Sequence, residues 1–119
     1  MAMDLDAVKV GFPQAVPMVS TLSLEFGDLD LQHAQMSMPD QKAYHNHVGG
    51  PHAGAMFTLA ESASGALVLA NFGDRLEDAT PLAVEATIRY LKLAMGPVTA
   101  TARMMRSGEE ILAELDSGG

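Results

Sequence analysis

From Val48 to Phe72 the chain reads VGGPHAGAMFTLAESASGALVLANF, and in that stretch only His52 and Glu61 can ionise. A helix lying on a protein surface carries charges along its wet face. This one carries almost none. The segment is therefore expected to fold as a helix wrapped by the rest of the protein, with the Glu61 carboxylate sealed inside. A buried carboxylate is costly unless it is paired, hydrogen-bonded or neutral, so Glu61 marks a candidate site. The competing reading is a glutamate paired with an arginine across an interface, and the helix alone leaves both open.

With 119 residues, 48% of them hydrophobic, the chain is expected to form one globular domain over 1–119. It has no cysteine, which excludes disulfides, thiolate chemistry and the common zinc–thiolate sites. The N-terminus, MAMDLDAVKV, is acidic and lacks the basic start of a secretory signal. No apolar run reaches bilayer width without Glu61 or a glycine intervening, so a cytoplasmic protein with no membrane partner is expected. A formal net charge of −8 argues against nucleic acid as a partner, since that binding neutralises phosphates with Lys and Arg. Five of the 7 basic residues (Arg75, Arg89, Lys92, Arg103 and Arg106) follow the apolar helix. They form either a local patch for a phosphate-bearing ligand or ordinary solvated faces.

Periodicity sets out an α+β order. Residues 1–18, with Pro13 and Pro17, read as a short helix or turn. Thr21 to Met38 alternates through Leu22, Leu24 and Phe26, breaks at Gly27-Asp28, and resumes through Leu29, Leu31, His33, Gln35 and Ser37. That pattern predicts one long antiparallel strand with a bulge or bend. A polar loop, 39–50, precedes a helix over Ala53–Asn71 whose stripe is Met56, Leu59, Ala60, Ala63, Leu67 and Ala70. Gly73 is a candidate left-handed cap. Leu82 to Tyr90 and Val98 to Met105 alternate as two further strands, and Glu109 to Leu115 reads as a short helical turn or a partial strand.

The loop and helix together read Asn46-His-Val-Gly49-Gly-Pro-His52-Ala53-Gly54-Ala-Met-Phe57-Thr-Leu-Ala-Glu61. Here the chain resembles the hotdog-fold acyl-CoA thioesterases, in the branch related to phenylacetyl-CoA thioesterase. That branch carries Asn-x-x-Gly-x-x-His-Gly-Gly, with an acid eight residues after the glycine that follows His. Asn46, Gly49, His52, Gly54 and Glu61 match it, and Ala53 stands where the family usually has glycine. The resemblance implies a hotdog fold, an antiparallel sheet wrapped around one long central helix. It also implies hydrolysis of an acyl-CoA or acyl-carrier thioester. Ala53 would offer its backbone N–H to the oxyanion at a helix N-terminus, a donor that alanine keeps. Asn46 would position the attacking water, and Glu61 would act as general base or nucleophile. His52 would orient the loop or bind the thioester oxygen. Gly49, Gly54, Phe57, Ala83, Val84 and Arg89 are the expected substrate contacts. Coenzyme A enters as part of the substrate, and no separate cofactor is implied.

Glu61 lies eight residues beyond Ala53, roughly 12 Å along a helix axis. One helix cannot easily bring both to one carbonyl, whereas two antiparallel helices from two subunits can. Family members share their sites in this way, so the partner expected is a second copy, as a homodimer or dimer of dimers. In two places the chain departs from the family. Ala83 stands where relatives often have a hydroxyl residue, with Thr80 nearby. A hotdog domain also has two more strands after the one ending near Met105, so the sheet is expected either to be truncated or to be completed in another way.

Four other readings compete. His45, His47 and His52 cluster, but the segment is glycine-rich and no adjacent carboxylate completes a facial triad. No metal is expected, and His45 and His47 are assigned to loop hydrogen bonding. Glu-Ser-Ala-Ser-Gly at 61–65 lacks a nucleophile elbow. A non-catalytic hotdog protein that binds acyl-CoA or an acyl carrier, or scaffolds a partner, is the alternative function. A dehydratase or hydratase on the same fold ranks third.

Overall fold

The computed structural model describes residues 4–118. Helix α1 (Leu5–Ala15) starts at Asp4, whose carboxylate accepts the Asp6 N–H at 2.8 Å, and Pro17 opens the short α2 (Pro17–Thr21). Val8 and Phe12 are buried on α1. Phe12 packs against Phe26 with ring centroids 6.1 Å apart.

The segment expected to be one bent strand is instead two strands, β1 (Glu25–Leu29) and β2 (His33–Met38), paired antiparallel. The break at Gly27-Asp28 is present as a register shift between Phe26 and Leu29. The reversal comes just after it. The Asp30 carboxylate accepts the N–H groups of Gln32 at 2.7 Å and His33 at 2.8 Å, closing the turn. Beyond the turn Ala34, Met36 and Met38 point inward, while His33, Gln35 and Ser37 point outward. Burying Met36 or Met38 contributes about 1.5–3 kcal/mol each.

Strand β3 (Val98–Arg103) pairs with β2 in antiparallel register, from His33 opposite Arg103 to Met38 opposite Val98. The sheet order is β1-β2-β3. Across this sheet lies α3 (Ala53–Phe72), burying Leu59, Ser62, Ala63, Ala66, Leu67, Ala70 and Asn71. By length and composition α3 could cross a membrane, but here it packs as the core helix of the sheet. Small residues let it approach closely, and at Gly65 the Phe12 ring packs at contact distance, 3.4 Å from where a Cβ would stand. The Asn71 amide donates to the carbonyls of Leu31 and Leu67, tying the helix end to the hairpin turn. Gly73 is right-handed (φ −61°), because a one-turn 3-10 helix, Gly73–Arg75, continues the same hand. The expected left-handed cap is absent.

The expected strand Leu82–Tyr90 does not form: the segment pairs with no strand among the described residues, and residues 81–93 are exposed. A strand needs a neighbour to accept its ladder, and alternation alone does not supply one. The last element, α4 (Gly108–Asp116), resolves the 109–115 alternatives as helix. Ser107 caps it by accepting the Glu110 N–H, and Arg106 pairs with Glu110 and Glu114.

Candidate active site

The turn before α3 is built almost entirely by one side chain. Asn46 Oδ1 accepts the N–H groups of Val48 at 3.0 Å and Gly50 at 3.1 Å, while Nδ2 donates to the Pro51 carbonyl at 3.2 Å. The Asn46 backbone N–H donates to the Gly50 carbonyl at 2.7 Å, and Gly49 takes φ +81°, a conformation open to glycine. Asn46 thus holds its own loop, and one of its two amide protons has no acceptor among the described residues.

His52 caps α3. Its N–H donates to the Tyr44 carbonyl at 2.7 Å, and its Nδ1 accepts the Gly54 N–H at 2.9 Å. Accepting at Nδ1 requires the tautomer with its proton on Nε2. Gly54 makes this possible, since a Cβ there would sit 3.1 Å from the imidazole ring. The His52 carbonyl accepts the Met56 N–H at 3.0 Å, and the Tyr90 hydroxyl donates to the Ala53 carbonyl at 3.0 Å. Amid these bonds the N–H groups of Ala53 and Ala55 have no acceptor among the described residues. They are two donors at the positive end of a 20-residue helix.

Glu61 is exposed and has no hydrogen-bond or ion-pair partner among the described residues. This corrects the expectation of a carboxylate sealed inside the fold. The sheet-facing side of α3 is taken by Leu59, Ser62, Ala63 and Ala66, and the helical phase turns Glu61 away from it. Half-buried Phe57 lies one turn before Glu61 on the same stripe. Gly49, Gly54 and Phe57 therefore sit with Asn46, His52 and Ala53 around the helix start. Ala83, Val84 and Arg89 lie in the exposed segment after the helix, with Val84 99% exposed.

His45 Nε2 lies 2.7 Å from an Asp40 oxygen, so His45 bonds within its loop as expected. The described residues hold no group of three potential metal ligands. Of the five downstream cations, Arg75 is held by Asp78 and Asp116, and Arg106 by Glu110 and Glu114. Hydrogen bonds donated to Asp78 and Asp116 keep the Arg75 guanidinium firmly charged, and the Arg75 bond holds the Asp78 carboxyl below its usual range. Neither arginine is free for a phosphate. The alternation through Leu82 and Val84 predicts only a strand position for Tyr90 and carries no sign of its bond to the helix.

A family model described as a domain of unknown function, DUF4442, matches residues 5–116. The chain belongs to the DUF4442 family. This DUF4442 protein matches no curated protein sequence. Solved structures do resemble it. PA5026 of Pseudomonas aeruginosa, described as a protein of unknown function and probable thioesterase, superposes with TM-score 0.80 at 28% identity. That match covers 99% of this chain and 76% of PA5026. A mutant of the thioesterase PA1618 from the same organism gives 0.65 at 26% identity, over 89% of this chain and 74% of that one. The E. coli PaaI protein of the phenylacetic acid degradation operon gives 0.65 at 20%, over 89% and 77%. The DUF4442 chain thus has the hotdog fold, with α3 as the central helix against an antiparallel sheet, and of these neighbours PA5026 is described as a probable thioesterase and PA1618 as a thioesterase.

Proposed function

We propose that this chain is a single-domain thioesterase that hydrolyses an acyl-CoA or acyl-carrier thioester at sites shared between two copies. One observation supports this most. The donors of Ala53 and Ala55 stand open at a helix N-terminus whose neighbouring carbonyls, those of His52 and Ala53, are already bonded. Such preorganised N–H groups stabilise an oxyanion without reorganising during reaction. The reacting base would come from the second copy, because Glu61 lies roughly 12 Å down its own helix from Ala53.

In this reaction Glu61 takes a proton from water as the water oxygen bonds to the thioester carbon. The carbonyl oxygen becomes an oxyanion against the Ala53 N–H of the facing helix. As the oxyanion collapses, the carbon–sulfur bond breaks and the thiolate takes the proton back from Glu61. The products are a carboxylic acid and a free thiol. Covalent attack by Glu61 followed by hydrolysis yields the same products. Asn46 holds the loop and can offer its uncommitted amide proton to the water, while His52 presents Nε2–H toward the thioester. Gly49, Gly54 and Phe57 border the reacting group, and Ala83, Val84 and Arg89 would join when a second copy covers their segment. The chemistry needs no cofactor beyond the coenzyme A of the substrate. A cytoplasmic location suits an acyl-CoA substrate.

The open position of Glu61 in a single copy favours a second reading, an acyl-CoA or acyl-carrier binder without turnover. Thiol release from short, long and aromatic acyl-CoAs separates the two. A hydrolase releases thiol and loses most of that release in Glu61→Gln. Release unaffected by the substitution refutes the mechanism, and ligand-induced thermal stabilisation without release identifies the binder.

A further inference from the structure

The segment after α3 is exposed almost throughout, yet it presses on the candidate site at two points. The Tyr90 hydroxyl donates to the Ala53 carbonyl at 3.0 Å. Four residues later the Ala94 carbonyl lies so close over Gly50 that a Cβ there would collide with it. Gly50 is buried, and both its N–H and its carbonyl are bonded to Asn46. Residues 90–95 therefore lie across the junction of loop and helix, one contact on each side.

The first contact fixes a specific peptide group. The Ala53–Gly54 peptide accepts from Tyr90 at its carbonyl and donates to His52 Nδ1 at its N–H. The preceding peptide, which carries the Ala53 N–H, is held at its carbonyl by the Met56 N–H. Both planes flanking the Ala53 Cα are tied, so the direction of its N–H follows. His52 and Met56 belong to the turn itself, whereas Tyr90 reaches it from a distant part of the chain. Tyr90 is also 52% exposed, so packing alone does not dictate where its hydroxyl points.

We propose that Tyr90 is a positioning residue that holds the first turn of α3 and so aims the Ala53 N–H at the substrate oxyanion. The clause about the oxyanion rests on the thioesterase reading, and the hold on the turn does not. Tyr90→Phe keeps the ring and removes the hydroxyl. On the full chain, three readouts are taken: amide exchange over residues 52–56, the thermal midpoint, and kcat and KM for hexanoyl-CoA and phenylacetyl-CoA.

The expected result is faster exchange at the bonded Gly54 and Met56 N–H groups with kcat lowered about tenfold, KM and midpoint staying near wild type. Unchanged exchange overturns the proposal, and so does a joint change in kcat, KM and midpoint, which would mark a merely structural residue. If the wild-type protein releases no thiol from either probe, the thioesterase reading fails there. Exchange then decides alone: acceleration sustains the hold of Tyr90 on the turn, and no change removes it.

Discussion

The chain entering α3 and the chain leaving it contrast sharply. On the way in, residues 45–52 lie in no sheet beyond a single bridge between His45 and Pro51, yet their polar groups are bonded through Asn46, His52 and Tyr44. On the way out, Leu82–Tyr90 alternates regularly yet stays exposed and pairs with no strand among the described residues, with Leu82 81% and Val84 99% exposed. A loop whose donors and acceptors are satisfied locally can be rigid without a neighbouring element. A strand cannot, because its backbone groups need a partner strand. The candidate chemistry lies at the end that closes on itself.

This contrast predicts effects of very different size. Ala53→Pro removes one N–H at the first helical position, where proline is tolerated, and the extended backbone of His52 (φ −64°, ψ 138°) suits the residue before a proline. Thiol release is expected to fall by about 10²–10³-fold, the usual cost of losing one oxyanion donor. A small loss alongside an unchanged melting curve would remove Ala53 from the site.

Asn46→Ala leaves the Val48 and Gly50 N–H groups without their acceptor, and should lower stability by about 1–3 kcal/mol in denaturant unfolding. A neutral result would mean that the loop is held by something other than Asn46. Acidification acts more weakly, through the hairpin turn. The His33 and Gln32 N–H groups hold the Asp30 carboxyl below its usual range. A carboxyl lowered in the folded state stabilises fully above its unfolded value of about 3.9, and that contribution is lost as pH falls through the folded value. Asp30→Asn should flatten this part of the stability profile below about pH 4, and an unaltered profile would assign the acid loss elsewhere.

Val84→Ser should be the mildest change, within about 0.5 kcal/mol, as for an exposed position with no partner. A loss well above that, growing with protein concentration, would show that a second copy covers the exit segment and would narrow the contrast between the two flanks.

The sequence reveals some of these features through local physics and hides others. The apolar run with small residues announces α3, and the spacing from Asn46 to Glu61 marks the turn that Asn46 and His52 build. Alternation places β3 correctly, because β2 is there to receive it. It fails at Leu82–Tyr90, since periodicity records which side chains share a face and not whether a neighbouring strand exists. The β1–β2 reversal escapes notice because it depends on one carboxylate, Asp30, within a pattern that reads as continuous alternation. Glu61 looked buried because the helix around it is apolar, yet an uncharged face can also be one that a single copy leaves open.

The most direct test of the shared site is complementation between two defective chains. Glu61→Gln keeps the helix start intact, and Ala53→Pro keeps the carboxylate. Each alone should be nearly inactive. When the two are unfolded together and refolded as a mixture, half of the dimers should pair one of each. Each mixed dimer carries one intact site of two, so about a quarter of wild-type thiol release should return. No recovery from a mixture that demonstrably forms mixed dimers would contradict a site built from the helix start of one copy and the Glu61 of the other.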